Sequence, residues 1–270
     1  MRILVLGGTA DARHITTLIH HDGLLQPNRD ELIYSVAGLV RMPDVPCAVI
    51  SGGFRQFGGL ATYLKENRID MLLDITHPFA AQMSTQAVSA AKAMQIPCWR
   101  FHRPAWRQQA ADRWTRFQSW SSLIRDAQSF KSLLLTVGQI SQTQLNELLN
   151  TRADIKPDSI LLRTAAPARI ELPKQWHWIK AIGPFTLADE LALFQQYNID
   201  LLITKNSGGE STEAKLAAAR TLDIPVFMLE RPTLAQADRQ FSTLESFMQA
   251  LRDEVINTRL TTVQGKPYAV

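Results

Sequence analysis

The chain has 270 residues, of which 46% are apolar and 20% charged, and its formal net charge is +4. These values exclude a disordered or fibrous chain and fit a globular protein of one or two domains with a well-buried core. No apolar run reaches the ~18 residues that span a bilayer, and no Lys/Arg-rich run marks a nucleic-acid arm, so neither a membrane nor a nucleic acid is an expected partner.

Met1–Leu6 resembles a signal peptide only briefly. It meets Gly7-Gly8 and Asp11, so Arg2–Leu6 reads as a first buried strand. Further strands are predicted over Glu31–Ala37, Cys47–Ile50, Met71–Ile75 and Pro97–Phe101, with helices over Ala10–His20, Leu60–Glu66 and Ala80–Met94. Arg103–Phe130 reads as linker and lid. Beyond it, strands are predicted over Ser132–Val137, Ser159–Thr164, Trp176–Ala181, Leu201–Thr204 and Pro225–Leu229, and helices over Ser141–Leu149, Leu187–Tyr197 and Thr212–Thr221. This places an N-terminal domain at 1–115, a connector at 116–130, a C-terminal domain at 131–258 and a polar, frayed tail at 259–270. Cys47 and Cys98 are the only cysteines, which argues against a disulfide scaffold and for the reducing cytoplasm.

The chain repeats itself. Ile69–Thr76, Gln95–Arg100 and Arg103-Pro104 are answered by Ile199–Asn206, Asp223–Met228 and Arg231-Pro232. Gly53-Phe54, Leu60, Tyr63-Leu64 and Asn67 find partners in Pro184-Phe185, Leu191, Phe194-Gln195 and Asn198. The expected architecture is two related Rossmann-like α/β domains, each a doubly wound parallel sheet, with a cleft between them. Ligands of such sheets bind at the carboxyl ends of the strands.

Several strand-end loops carry chemistry. Leu6-Gly7-Gly8-Thr9-Ala10-Asp11-Ala12-Arg13 is a strand, a glycine turn and a helix start, suited to a pyrophosphate. Thr9 stands where the dinucleotide fingerprint has its second glycine, so an ordinary βα turn is an equal reading. The second strand ends near Ser35 and Arg41, with no acidic residue for a ribose 2′-hydroxyl, a pattern that suits a 2′-phosphate. Thr76 and His77 close another strand, where His77 can hydrogen-bond a cofactor or deliver a proton, and where Thr76 can also serve merely as a cap. Lys205-Asn206-Ser207-Gly208-Gly209 offers a lysine and backbone N–H groups to an anion, or forms a capped turn. Arg103 and Trp106 belong to a stretch of arginines and aromatics that is either a connector or a surface for a flat polyanion. No Gly-x-Ser-x-Gly elbow, Cys/His pair or metal-ligand spacing is present.

The chain resembles the precorrin-6A reductase family of cobalamin biosynthesis, which includes the cobalt-precorrin-6A reductases. The resemblance rests on Leu6–Arg13, Asp74–Ala80, Arg103–Trp106, Gly183–Thr186, Thr204–Gly209, Lys215–Arg220 and Arg231-Pro232. Ile182 departs from the family pattern, which often has arginine there, and the Gly52–Gly59 loop is differently spaced. The resemblance implies an oxidoreductase acting on a CH–CH bond, with NADPH as cofactor and NADH as the alternative. It implies a tetrapyrrole substrate and neighbouring pathway enzymes as partners. Gly7, Gly8, Thr9, Ala10, Arg13, Ser35 and Arg41 would hold the cofactor, with Thr76 and His77 beside it as the catalytic pair. Lys205, Ser207, Gly208 and Gly209 would close over the cofactor, while Arg103, Trp106, Phe185, Lys205 and Asn206 would meet the substrate. A cofactor-free tetrapyrrole enzyme and a non-catalytic binding protein are the competing readings.

Overall fold

A computed structural model describes residues 1–38, 42–151 and 160–264. In chain order the first elements are β1 (Arg2–Leu6), α1 (Ala10–His21), β2 (Glu31–Val36), β3 (Ala48–Ser51), α2 (Leu60–Glu66), β4 (Met71–Asp74), α3 (Ala81–Met94) and β5 (Cys98–Phe101). Next come β6 (Trp114–Phe117), α4 (Trp120–Asp126), β7 (Leu133–Thr136), α5 (Gln142–Thr151), β8 (Ile160–Thr164) and β9 (His177–Lys180). The chain then forms α6 (Leu187–Gln196), β10 (Leu201–Lys205), α7 (Ala214–Thr221), β11 (Val226–Leu229), β12 (Arg239–Phe241) and α8 (Leu244–Gln264).

The chain divides into two units, Met1–Pro104 together with the segment beginning at Thr233, and Ala105–Pro232. Each contains one six-stranded sheet, ordered β12-β5-β4-β1-β2-β3 in the first and β6-β11-β10-β7-β8-β9 in the second. Among the described residues every strand pairing is parallel. Strands such as Ile3-Leu4-Val5-Leu6 are apolar throughout because helices cover both faces of the sheet. In the first unit Ile15 and Ile19 of α1 pack with Phe247 and Leu251 of α8 on one face. Leu64 of α2 and Ala87 and Ala91 of α3 fill the other. In the second unit Phe194 of α6 and Leu216 and Ala219 of α7 cover Leu134 and Leu202. Each fully buried aliphatic side chain of this kind contributes roughly 1.5–3 kcal/mol.

The repeat is visible in individual hydrogen bonds. Asp70 accepts the N–H of Arg2 at 2.6 Å, and Asp200 accepts that of Ser132 at 2.8 Å. Arg68 and Asn198 both take left-handed backbone, φ 48° and 47°, as do Gln95 and Asp223, φ 55° and 54°. Ile69 and Ile199 bond back to Leu64 and Phe194. The structural register therefore pairs Arg68, rather than Asn67, with Asn198.

The domain boundaries differ from the sequence expectation. The stretch read as linker and lid contains β6 and α4, which belong to the second unit from Ala105 onward. The C-terminal segment does not extend the second domain. It supplies β12 and α8 to the first unit, pairing Arg239–Phe241 with Trp99–Phe101. Of the polar tail expected over 259–270, the described part is helical, since α8 continues to Gln264. The repeat also reaches further than it reads. Ser119 caps α4 and pairs with Ser122 at 2.8 Å, and Thr243 pairs with Ser246 at 2.7 Å before α8.

Candidate functional site

In both sheets the strand order reverses beside the first strand of the repeat, between β1 and β4 in the first unit and between β7 and β10 in the second. Doubly wound sheets bind ligands at the carboxyl side of such a switch point. The Gly7–Arg13 and Thr76–Ala80 segments leave the sheet there in the first unit, and Lys205–Gly209 does so in the second.

In the first unit the glycine turn is tied down from below. Gly7 donates to the Ser35 carbonyl at 2.8 Å, and Gly8 donates to the Tyr34 hydroxyl at 2.8 Å. Gly8 has φ +101°, which favours glycine, and a β-carbon there would meet nothing within 4 Å, so ligand atoms can approach the backbone closely. Thr9 caps α1. Its hydroxyl accepts from Ala12 N–H at 3.0 Å and donates across the switch point to the Ile75 carbonyl at 2.9 Å. Arg13 is half-buried one turn into the helix. Ser35 is buried within β2, and its carbonyl accepts the Gly7 N–H. Arg41 lies outside the described residues.

Asp74 is fully buried and anchors the neighbouring loop. Its carboxylate accepts the Thr76 hydroxyl at 2.7 Å and Arg100 Nε at 2.8 Å. Burial raises its pKa, but the bonds from Thr76, Arg100 and Ser84 outweigh that and hold it below the usual carboxylate range. The Thr76 hydroxyl is therefore turned inward, toward Asp74. His77 is half-buried. Its Nδ1 accepts the Phe79 N–H at 3.3 Å, so the proton of the neutral ring sits on Nε2. Arg103, expected at the substrate, forms an ion pair with Asp11 in the first turn of α1, beside the glycine turn.

In the second unit Lys205 ends β10 half-buried, and desolvation lowers its pKa. Asn206 is 1% exposed and engaged at both ends. It accepts from Trp106 N–H at 2.9 Å and donates to Glu230 at 3.4 Å, so it braces the loop. Arg231 donates to the carbonyls of Asn206 and Ser207 at 2.9 and 3.0 Å. Gly208 has φ +69°, and the buried Gly209 carbonyl accepts from Thr212 at 3.2 Å. Trp106, expected at the substrate, is buried with its ring against Lys215. Phe185 is half-buried, stacked 4.2 Å from the Arg163 guanidinium and joined through its N–H to the Ser211 carbonyl.

Tyr34, Asp74, Arg100 and Lys215 were missed as site-supporting residues. The signal for two of them was present, since Arg100 interrupts an apolar strand and pairs in register with Asp74. Among the described residues no cluster of His, Cys, Asp and Glu side chains is arranged to hold a metal ion, and no helix is long and apolar enough to cross a membrane.

Fold and strand-end loops together define a duplicated, doubly wound α/β protein with ligand-type loops at the switch point of each sheet. Residues 2–252 match the family described as Precorrin-6x reductase CbiJ/CobK, and the chain belongs to that family of oxidoreductases in cobalamin biosynthesis. It is 36% identical to a precorrin-6A reductase of Rhodococcus erythropolis over 240 residues, covering 87% of this chain and 91% of that protein. It is 26% identical to a cobalt-precorrin-6A reductase of Salmonella typhimurium over 262 residues, covering 92% and 95%. A solved structure of CobK precorrin-6A reductase superimposes with a TM-score of 0.79 at 32% identity, covering 94% of this chain and 96% of that one.

Proposed function

We propose that this protein uses NADPH to reduce one carbon–carbon double bond of the precorrin-6A macrocycle, giving precorrin-6B. The match of residues 2–252 to a reductase family carries this reading. Higher identity to the Rhodococcus enzyme than to the Salmonella one supports the metal-free macrocycle as substrate. Free thiols at Cys47 and Cys98 support a cytoplasmic setting, where neighbouring pathway enzymes would supply and remove the macrocycle.

A bound dihydronicotinamide would supply the hydride; the chain's own residues hold and orient. The N-terminus of α1 fits a pyrophosphate, because backbone N–H groups from Thr9 onward carry the positive end of the helix dipole and Gly8 leaves room for close approach. Arg13 adds positive charge one turn in. Arg103 offsets the negative charge of Asp11, which would otherwise repel phosphate. Asp74 holds the Thr76 loop, and His77 presents Nε2–H to the reacting pair. In the second unit Lys205 and the backbone of Ser207–Gly209 suit an anionic group. Enforced proximity of two planar reactants is the main catalytic contribution expected, since the conjugated macrocycle is its own electron sink.

The test is a titration with NADPH and with NADH followed by tryptophan quenching, then anaerobic turnover of precorrin-6A and its cobalt form. Saturable NADPH binding and oxidation dependent on the macrocycle support the reading. A folded protein that neither binds a nicotinamide nor oxidises one with macrocycle present defeats it. Arg41→Ala should erase the preference for NADPH over NADH.

A further inference from the structure

The two units build the same parallel sheet with different residues at one pair of adjacent strand positions. In the first unit Asp74 on β4 stands in register with Arg100 on β5. The repeat places Thr204 on β10 and Met228 on β11 at the corresponding positions of the second unit, again in register. All four residues are buried. The second sheet therefore forms without an ion pair at this place. Two buried charges carry a desolvation cost that apolar residues of similar size avoid, so stability does not account for the pair.

What the pair holds is a loop. Asp74 Oδ1 accepts the Thr76 hydroxyl at 2.7 Å and the Thr76 N–H at 3.3 Å, while Oδ2 accepts Arg100 Nε at 2.8 Å. The guanidinium has a further anchor, since its Nη1 donates to the Ala235 carbonyl at 2.6 Å. Ala235 lies in the segment from Thr233 onward that belongs to the first unit. That segment is fixed on β5 by two bonds. Cys98 N–H donates to the Asp238 carboxylate at 2.7 Å, and Asp238 N–H donates to the Cys98 carbonyl at 3.0 Å. Arg100 thus connects the loop that carries His77, through Asp74, to backbone held on the sheet. In the second unit Asn206 takes the place of Thr76 and is braced by Trp106 and Glu230 instead, so its loop has no need of such a pair.

We propose that Arg100 is a positioning residue for the reduction: held against Ala235, it fixes the direction of the Asp74 carboxylate and with it the orientation of His77. The proposal rests on the reading that the Thr76–His77 loop serves the reacting pair. The loop keeps a separate tether in the bond from the Thr9 hydroxyl to the Ile75 carbonyl at 2.9 Å. Loss of the Arg100 bonds should therefore loosen His77 while leaving the glycine turn in place.

Two variants of the full-length protein test this. Arg100→Lys keeps a cation beside Asp74 and gives up the planar fork that reaches two acceptors at once. It should lower kcat about tenfold with the Kd for NADPH unchanged. Nitrogen NMR of histidine-labelled protein, at a pH where the ring is neutral, should show His77 passing from the Nε2–H tautomer to a mixture; the signal is identified by its loss in His77→Gln. Asp74→Thr/Arg100→Met copies the residues of the second unit. It should fold, melt within about 4 °C of the wild type and show the same loss of kcat. A double variant that does not fold would assign the pair to the sheet and overturn the proposal. A folded Arg100→Lys protein with an unshifted His77 tautomer, or with unchanged kcat where His77→Gln loses activity, refutes the role of Arg100 alone. If His77→Gln keeps full kcat, the reading of the loop falls instead, and the NMR signal still decides whether Arg100 positions it.

Discussion

The Tyr34 ring occupies the space that a side chain on Gly7 would need: a β-carbon built on Gly7 stands 2.2 Å from Tyr34 Cζ. The same ring carries the hydroxyl that accepts the Gly8 N–H. One side chain on β2 thus sets both the identity of the first glycine and the position of the second. Gly7→Ala should cost about 1–3 kcal/mol by overpacking and weaken NADPH binding. Tyr34→Phe should keep the packing and lose only the acceptor, at about 1 kcal/mol. Urea unfolding of both variants checks this; a Gly7→Ala protein as stable as wild type would show that the ring yields freely.

Asp74 and Arg100 form a buried pair whose side chains are 0% and 2% exposed. Removing one partner strands the other charge. Asp74→Ala should destabilise the first unit by about 3–5 kcal/mol, and Thr76→Ala by about 1 kcal/mol. The lowered Asp74 pKa stabilises the fold above the ordinary carboxylate value, and this contribution fades as pH falls through the lower folded value. Acid unfolding of the wild type beside Asp74→Asn measures it.

His77 carries its neutral-state proton on Nε2. If it protonates the reduced macrocycle, His77→Gln should lower kcat by about 10²-fold with little change in NADPH affinity, and the acidic limb of the kcat–pH profile should change shape. An equal loss in affinity and kcat would make it a cofactor contact instead.

Stability should report the Lys215 amine as well. With a folded pKa of about 7, below the ordinary 10.5, the folded state binds fewer protons than the unfolded one between these values. Stability then rises with pH across that window, and the penalty is greatest below pH 7. Lys215→Met should therefore raise the Tm most at pH 6 and least near pH 10. A Tm difference independent of pH would contradict this.

Asp30 behaves in the opposite sense. It pairs with the amino terminus at 2.6 Å and with Arg259 at 2.9 Å, and these contacts outweigh its burial and hold its pKa at about 2. It should contribute about 1–2 kcal/mol above pH 4 and lose that contribution as pH falls toward 2. Asp30→Asn should thus be less stable at pH 6 and equal to the wild type at pH 2.

What was legible in the sequence followed the burial pattern. Arg2–Leu6 and Leu60–Glu66 are read at their observed bounds because an unbroken apolar run and a helical stripe leave little choice. Trp114–Phe117 and Arg239–Phe241 were lost because they are short edge strands with exposed arginines, and half-exposed edges look like connectors. The glycine turn was legible as a turn, but its support by Tyr34 was not, since that needs the register of β1 on β2. Trp106 and Asn206 read as surface groups beside a ligand. Only packing shows that they face inward, because polar and aromatic residues in loops carry no periodicity to say which way they point.

The second unit is one uninterrupted stretch, Ala105–Pro232, whereas the first lacks β12 and α8 until the chain has passed through all of the second. During synthesis, domains fold as their strands become available. The unit that begins first is thus the last to be completed, its β5 edge waiting without a neighbour while roughly the whole of its sibling is made. A nascent chain halted after Pro232 would hold a finished second unit and a first unit whose sheet ends at β5, so premature termination should leave one folded unit joined to one without its edge strand and last helix.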